Sequence, residues 1–192
     1  MKRLLTAATT LLTLGVSAAV AQDCTAEGDA WDLDADAVTA LYDCIESAMV
    51  DGYTSGDNDV APVYRDWTAS STRPAVAGPH GERFLQTFVN DTGAEQYLAF
   101  EVGMFEMPAG TVLAKESFKL TDGTASVGPL FIMSKVASGE ADEYDNWVYS
   151  AVQPNGAAMQ ISQSFCHDCH AAFEDQDSMG YPLEDVRVGS GG

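Results

Sequence analysis

Side chains alternate strictly between two faces in the middle of this chain. From residue 112 to residue 120, every second residue is Val, Ala, Glu, Phe or Leu, which predicts a β-strand at 111–120 with one apolar face. Apolar runs of strand length, bounded by turn residues, predict further strands at 82–89, 128–136 and 147–152. Because short turns connect these runs, we expect a mainly antiparallel β-sheet.

Helical spacing occurs on either side of these strands. Apolar residues between 38 and 49 recur at intervals of three and four, which predicts a first helix ending near residue 50. We also predict a short helix at 94–100 and a C-terminal helix at about 158–173. The expected fold class is therefore α+β, with helices flanking the sheet. A four-helix bundle is the alternative, but the Gly and Pro residues between 74 and 156 argue against it.

The first 21 residues have the order of a secretory signal peptide. A charged start, Lys2-Arg3, precedes a mostly apolar stretch at 4–16, and Ala19-Val20-Ala21 offers a cleavage site. We therefore predict export to the periplasm of a bacterial cell. Residues 22–66 should form an N-terminal helical segment that belongs to one globular unit with residues 67–192.

The chain is strongly acidic, with 9 basic and 29 acidic residues. Without Lys2 and Arg3, 7 basic residues would face the 29 acidic ones, a formal net charge of −22. Such a surface repels nucleic acid and anionic lipid, so we expect neither nucleic acid nor a membrane as a partner. It suits a neutral or cationic small ligand and a basic redox partner protein, while solubility in a salty medium explains it equally well.

Five residues near the C-terminus have the clearest chemistry: Cys166-His167-Asp168-Cys169-His170. The pattern C-x-x-C-H is the attachment signature of a c-type haem. Cysteines three positions apart lie on one face of a helical turn, within reach of the two vinyl groups of one porphyrin. His170 would ligate the iron, whereas His167 points elsewhere. The sequence therefore predicts one covalently bound haem c on a C-terminal helix.

A redox C-x-x-C pair and half of a zinc site are the alternatives for this motif. A thioredoxin-like pair usually opens a helix after a strand and needs no trailing histidine. A zinc site needs further ligands, and outside the motif only His80, Cys24 and Cys44 remain. If haem occupies the motif, we expect Cys24 and Cys44 to form a disulfide in an oxidising compartment, with two free thiols as the alternative.

Further stretches occur in an order that resembles the cytochrome P460 family. In chain order they are His80-Gly81, Phe88-Val89-Asn90, the run Pro-Ala-Gly-Thr-Val-Leu-Ala-Lys-Glu at 108–116, Met133-Ser134-Lys135, Trp147-Val148-Tyr149 and the haem motif. The resemblance extends from about Trp67 to Asp177. Only C-x-x-C-H is specific by itself. The other stretches support the resemblance through the order in which they occur.

The resemblance implies a mostly antiparallel sheet, often in a homodimer, with one five-coordinate haem c. It also implies a lysine bonded to the porphyrin edge and oxidation of hydroxylamine toward nitric oxide or nitrous oxide. A sister group, the beta-type cytochromes c′, resembles this family in fold but lacks the lysine bond. Those proteins bind nitric oxide and carbon monoxide.

Two neighbouring residues are candidates for the catalytic roles that the resemblance implies. After signal removal the lysines are Lys115, Lys119 and Lys135, and Lys115 lies in the best-matching stretch, so we assign the haem crosslink to it first. An ion pair with a surface acid is the alternative. Glu116 is the candidate proton acceptor, and its alternative role is a structural partner of Lys135 or Arg83. Because neighbours on a strand point to opposite faces, we do not expect Lys115 and Glu116 to face one haem.

These observations favour redox chemistry on hydroxylamine or nitric oxide at the haem. A gas-binding protein without turnover is the second hypothesis, and its mark would be an aromatic cap. A simple electron carrier is the third. That function usually requires a sixth iron ligand, and none of Met107, Met133, Met159 and Met179 falls where a small cytochrome c places one.

Overall fold

The structure is a computed structural model that describes residues 23–189. The predicted signal peptide, residues 1–21, and residues 190–192 lie outside the described residues. Within 23–189, seven strands form one antiparallel sheet in the order β1-β3-β4-β6-β7, with β2 also paired to β3 and β5 to β4. The strands are β1 (Thr68–Ala69), β2 (Ala75–Ala77), β3 (Arg83–Val89), β4 (Val112–Thr121), β5 (Thr124–Val127), β6 (Leu130–Lys135) and β7 (Trp147–Val152). The helices are α1 (Ala35–Tyr53), α2 (Asp91–Leu98) and α3 (Gln163–His170). The predicted α+β fold is confirmed.

Helix α1 covers one face of the sheet. It begins at Asp34, whose side chain accepts a hydrogen bond from the backbone N–H of Ala37 at 2.8 Å and so caps the first turn. Its apolar stripe packs against the side chains of β3, β4 and β6 that point to this face. The stripe consists of Val38, Leu41, Ile45, Met49 and Tyr53. A disulfide joins Cys24 to Cys44 in α1, as predicted, and ties the N-terminal segment to the helix.

The second face of the sheet holds a separate apolar cluster, beside α2, α3 and the segment after α3. Alternation along β4 assigns Ala114 to the α1 side and Leu113 to the second face. The cluster on the second face comprises Val89, Tyr97, Leu113, Met107, Met133, Trp147, Tyr149 and Met179. Both faces of β4 are therefore buried, whereas the sequence pattern indicated only one apolar face.

Three short strands were not predicted from the sequence, and the last helix begins later than predicted. Strands β1 and β2 pair with β3 without a strong local pattern. Strand β5 follows Asp122-Gly123, whose φ angles of 49° and 75° form a tight hairpin turn, and this Asp-Gly signal could have revealed it. Helix α3 begins at Gln163 rather than at 158, because Ala158 pairs with Val152 at the end of β7.

No helix among residues 23–189 is both long enough and apolar enough to cross a membrane.

Candidate functional site

Helix α3 is fixed against the edge strand β7 by one side chain. The Gln163 amide donates to the backbone carbonyl of Tyr149 at 2.7 Å and accepts from the N–H of the same residue at 2.7 Å. It thereby supplies the two bonds that a neighbouring strand would make. Ser162 caps the helix by accepting from the N–H of Phe165. No local sequence pattern predicts the Gln163 contact, because it depends on the position of β7.

The two cysteines of the motif are free thiols on α3. Cys166 is half-buried against the apolar cluster of the second face, and burial raises the pKa of its thiol. Cys169 is exposed. Cysteines three residues apart lie on neighbouring positions of one helix face, so both can be reached by one group lying along that face.

His170 is almost completely buried, at 9% exposure, at the end of α3. Its Nδ1 lies 2.9 Å from the carbonyl oxygen of Ser178. Since a carbonyl can only accept, Nδ1 must carry the hydrogen, which leaves the lone pair on Nε2 free for a metal. Burial, and after it the charge of Lys115, lowers the pKa of His170 to about 3, so the ring is neutral at physiological pH.

His167 is directed to a different set of groups, as predicted. Its Nδ1 lies 3.3 Å from the hydroxyl of Tyr149, and its ring contacts that of Tyr144 at 5.5 Å. Its Nε2 lies 3.9 Å from the carboxylate of Asp145. His167 therefore packs between Tyr149 of β7 and the segment that precedes β7, and it does not contact His80.

The turn that presents Ser178 to His170 is clamped by a buried ion pair. Lys135 Nζ donates to both carboxylate oxygens of Asp177 at 2.8 Å and to the carbonyl of Asp145 at 2.8 Å. The indole of Trp147 donates to the carbonyl of Asp177 at 2.7 Å. Both residues of the turn, Asp177 and Ser178, have left-handed backbone angles, with φ of 50° and 57°. These contacts hold a left-handed backbone conformation that residues other than glycine seldom adopt.

Lys115 is buried in the middle of the second face, at 5% exposure. Its neighbours across the strands are Thr87 on β3 and Phe131 on β6. Among residues 23–189, its ammonium has neither a hydrogen-bond acceptor nor an ion-pair partner, and burial lowers its pKa to about 8. The alternative of a surface lysine paired with an acid is therefore wrong. A buried amine without a partner is costly for folding, which marks it as a functional candidate.

His80 reaches the same face of the sheet from the direction of β3. It ends a single 3₁₀ turn, Gly78–His80, which Gly81 closes with a φ of 74° and a bond to the carbonyl of Gly78. Its ring lies 4.9 Å from the ring of Phe131 and 6.4 Å from that of His170. Burial, then the charges of Lys115 and Arg83, lower its pKa to about 4, so this ring is also neutral.

Glu116 lies on the opposite face of the sheet from Lys115, as strand alternation requires. Its carboxylate accepts hydrogen bonds from the hydroxyl of Tyr42 at 2.7 Å and from the hydroxyl of Tyr64. The Nε of Arg65 donates to it at 2.5 Å, and the same guanidinium pairs with Glu46 at 3.0 Å. The structure therefore does not bring Glu116 to the histidines.

The expected structural partners of Glu116 were wrong. Lys135 pairs with Asp177 rather than with Glu116, and Arg65 takes the role that was expected of Arg83. Burial raises the pKa of both tyrosine hydroxyls beside Glu116, and the nearby negative charge adds to the effect. Both tyrosines remain protonated and donate to the carboxylate. The carboxylate of Glu116 therefore has its hydrogen-bond donors within a buried network under α1.

The residues present fit a covalently bound haem. Two free thiols lie on one face of α3, and the next residue, His170, has a free Nε2 held in place by its backbone partner. Aromatic rings of Tyr149 and Phe173 flank His170 at 5.3 and 6.4 Å. Among the described residues no group of three or more His, Cys, Asp or Glu could hold a metal ion, so the zinc alternative lacks ligands there.

Comparison with protein families agrees with this arrangement. The chain matches the family described as Cytochrome P460 over residues 61–179, more than half of its length. The match contains His80, Lys115 and the whole haem motif, and it excludes α1 and the disulfide. No curated protein matches the sequence.

Proposed function

The chain belongs to the cytochrome P460 family and is a haem cytochrome, and from this premise we propose that it is an exported monohaem protein for redox chemistry on small nitrogen ligands. Cys166 and Cys169 would hold its haem c and His170 would ligate the iron, which would supply a binding site for hydroxylamine or nitric oxide. The mature protein begins at Gln22 and works in the periplasm.

The observation that supports this proposal most is the state of His170. Its Nδ1–H is bonded to Ser178, which fixes the tautomer and directs Nε2 away from the backbone. Burial keeps the ring neutral and able to donate its lone pair. The Lys135–Asp177 pair in turn holds the turn that carries Ser178. A histidine held in this way is suited to be a permanent iron ligand.

Bound haem would supply an iron that binds the nitrogen ligand and accepts electrons from it. The side chains of the chain hold and surround this group. Phe131 and Tyr149 provide apolar surface that limits water beside His170 and Lys115. Oxidation of hydroxylamine to nitric oxide releases three protons and three electrons, so turnover needs an electron acceptor. The net charge of the mature chain favours a basic redox protein in that role.

Haem attachment is tested by absorbance and mass. The purified exported protein should show haem that remains bound after denaturation, one haem per chain, and an N-terminus at Gln22. The double variant Cys166→Ser/Cys169→Ser should lose covalent haem, whereas His167→Phe, with its substitution inside the same motif, should keep it. Haem that is lost from the wild-type protein on denaturation would contradict the assignment.

The lysine bond to the porphyrin is tested by the dithionite-reduced spectrum. We propose Lys115 for this bond because it is buried on the face of His170 and lacks a partner among the described residues. A Soret band far to the red of ordinary ferrous haem c is expected for the wild-type protein and for Lys119→Met. Lys115→Met should return the band to its ordinary position. A wild-type spectrum without the shift would contradict the bond while leaving haem attachment intact.

Gas binding without turnover is a second candidate, and the position of Glu116 favours it. The carboxylate expected to accept protons from hydroxylamine is buried on the other face of the sheet and engaged by three donors. The two candidates differ in one measurement. With hydroxylamine and an excess of a soluble electron acceptor, an oxidase reduces many equivalents of acceptor per haem. A gas-binding protein binds nitric oxide tightly but shows no such reduction.

A further inference from the structure

We propose that His80 is the distal residue of the haem site: its imidazole faces the second axial position, and a ligand bound there must contact or displace it. This proposal rests on the proposed haem attachment and adds to it a residue outside the haem motif. His80 and His170 are the two histidine side chains whose rings meet over the second face of the sheet.

The order of the strands brings the two rings together from the β3 and β7 ends of the sheet. His80 lies three residues before the start of β3, whereas His170 is the last residue of α3, which is fixed to β7. In the sheet, β4 and β6 lie between these two strands. The residues of β4 and β6 at this level are Lys115 and Phe131, which are direct cross-strand partners. The two histidines thus converge over the middle of the sheet, above the buried lysine.

The spacing of the rings fits two imidazoles that share one iron site. Their centres are 6.4 Å apart and their planes are nearly perpendicular, at 83°. Metal–imidazole bonds are about 2 Å long, so two rings on opposite sides of one metal have centres about 6 Å apart. At this spacing, a diatomic ligand on the side opposite His170 meets the ring of His80 and must displace it to reach the iron.

The position of His80 is fixed by its backbone and by its neighbour. Pro79 restricts the first part of the turn, and Gly81 closes it with a left-handed angle that disfavours most other residues. The ring of Phe131, 4.9 Å away, supports the imidazole from the sheet. Because the backbone of His80 is held in this way, a displaced imidazole stays beside the bound ligand and can discriminate between ligands by hydrogen bonding.

The test compares His80→Phe with His167→Phe, a matched loss of an imidazole that packs against Tyr144 and Tyr149. The readouts are the carbon monoxide stretching frequency of the ferrous adduct, the azide affinity of the ferric protein and its spin state. We expect His80→Phe to shift the stretching frequency and to weaken azide binding about tenfold, the value of one hydrogen bond to a bound ligand. His167→Phe should resemble the wild-type protein.

Each further outcome decides the proposal. If His80→Phe instead changes a low-spin ferric spectrum to a high-spin one and binds azide more tightly, His80 itself ligates the iron, which also supports its distal position. His80→Gln, which keeps a polar group, provides a second variant should the phenylalanine variant fold poorly. If both variants keep the wild-type frequency, affinity and spin state, His80 is not the distal residue. That result would not contradict haem attachment, because the attachment test does not involve His80.

Discussion

Replacement of Lys135 by methionine should lower the free energy of unfolding, because it removes the buried ion pair beside the turn that contacts His170. The side chain of Lys135 is 1% exposed and donates three hydrogen bonds of 2.8 Å, two of them to Asp177. Its ammonium also lies 5.3 Å from the centre of the Trp147 ring. In Lys135→Met, the carboxylate of Asp177 keeps only the backbone N–H of Met107 as a described donor.

The size of the effect follows from the burial of the remaining charge. Removal of one partner of a buried ion pair costs about 3–5 kcal/mol, because the other charge stays out of water without compensation. For a protein of this size, each kcal/mol lowers Tm by about 2–4 °C, so a decrease of about 6–20 °C is expected. Urea unfolding of the holoprotein, followed by tryptophan fluorescence, measures the free energy of unfolding.

The loss should also depend on pH. Burial raises the pKa of Asp177, and the nearby Lys135 opposes that rise. Without the ammonium, the pKa of the folded state rises further above that of the unfolded state. A carboxyl with this shift binds more protons when folded, so stability falls as the pH rises from the unfolded to the folded pKa. The difference between variant and wild type should be small below about pH 4 and largest at neutral pH.

Two further variants make the result specific. Lys119→Met removes a partly exposed strand lysine and should cost less than about 1 kcal/mol. The double variant Lys135→Met/Asp177→Asn removes both charges and keeps a residue that tolerates the left-handed angle at 177, so it should regain much of the loss. If Lys135→Met loses no more stability than Lys119→Met, the ion pair does not stabilise the turn and the reasoning is refuted.

Three other variants test the contacts of α1 and the face of the sheet that it covers. Cys24→Ser/Cys44→Ser opens a link across 20 residues and should lower the free energy of unfolding by about 3 kcal/mol, measured in urea. Glu116→Gln weakens charged hydrogen bonds under α1 and should cost about 2–3 kcal/mol, while the Soret band and azide affinity stay unchanged. Gly52→Ala would place a Cβ 2.1 Å from the carbonyl oxygen of Pro154, and the forced displacement of α1 should cost about 1–3 kcal/mol in thermal unfolding.

The controls for these substitutions use the same assays. Reducing agent should lower the stability of the wild-type protein toward that of the serine variant and leave the variant unchanged. A large change in azide affinity in Glu116→Gln would return Glu116 to the haem site. Gly180→Ala places its Cβ in ordinary contact, 3.6 Å from Phe173, and should change Tm little. Equal effects of the two alanine variants would mean that the contact at Pro154 is not responsible.

Local patterns in the chain predicted the central strand, the haem motif and the disulfide. Alternation identified β4 and placed Lys115 and Glu116 on opposite faces, since successive strand residues point in opposite directions whatever the surrounding fold. The C-x-x-C-H spacing indicated the haem motif, and the two cysteines outside it indicated the disulfide that the structure contains. These inferences needed only residues within one turn or strand, or a count of residue types.

Tertiary structure decided which groups meet. Alternation separates two faces but does not say what covers each one, so it could not show that Lys115 is buried without a partner or that Arg65 binds Glu116. The approach of His80 to His170 depends on strands that lie between them in the sheet and far from both in the chain. The Lys135–Asp177 pair joins residues 42 positions apart. Such contacts are set by sheet order and register, which arise only when the whole chain packs.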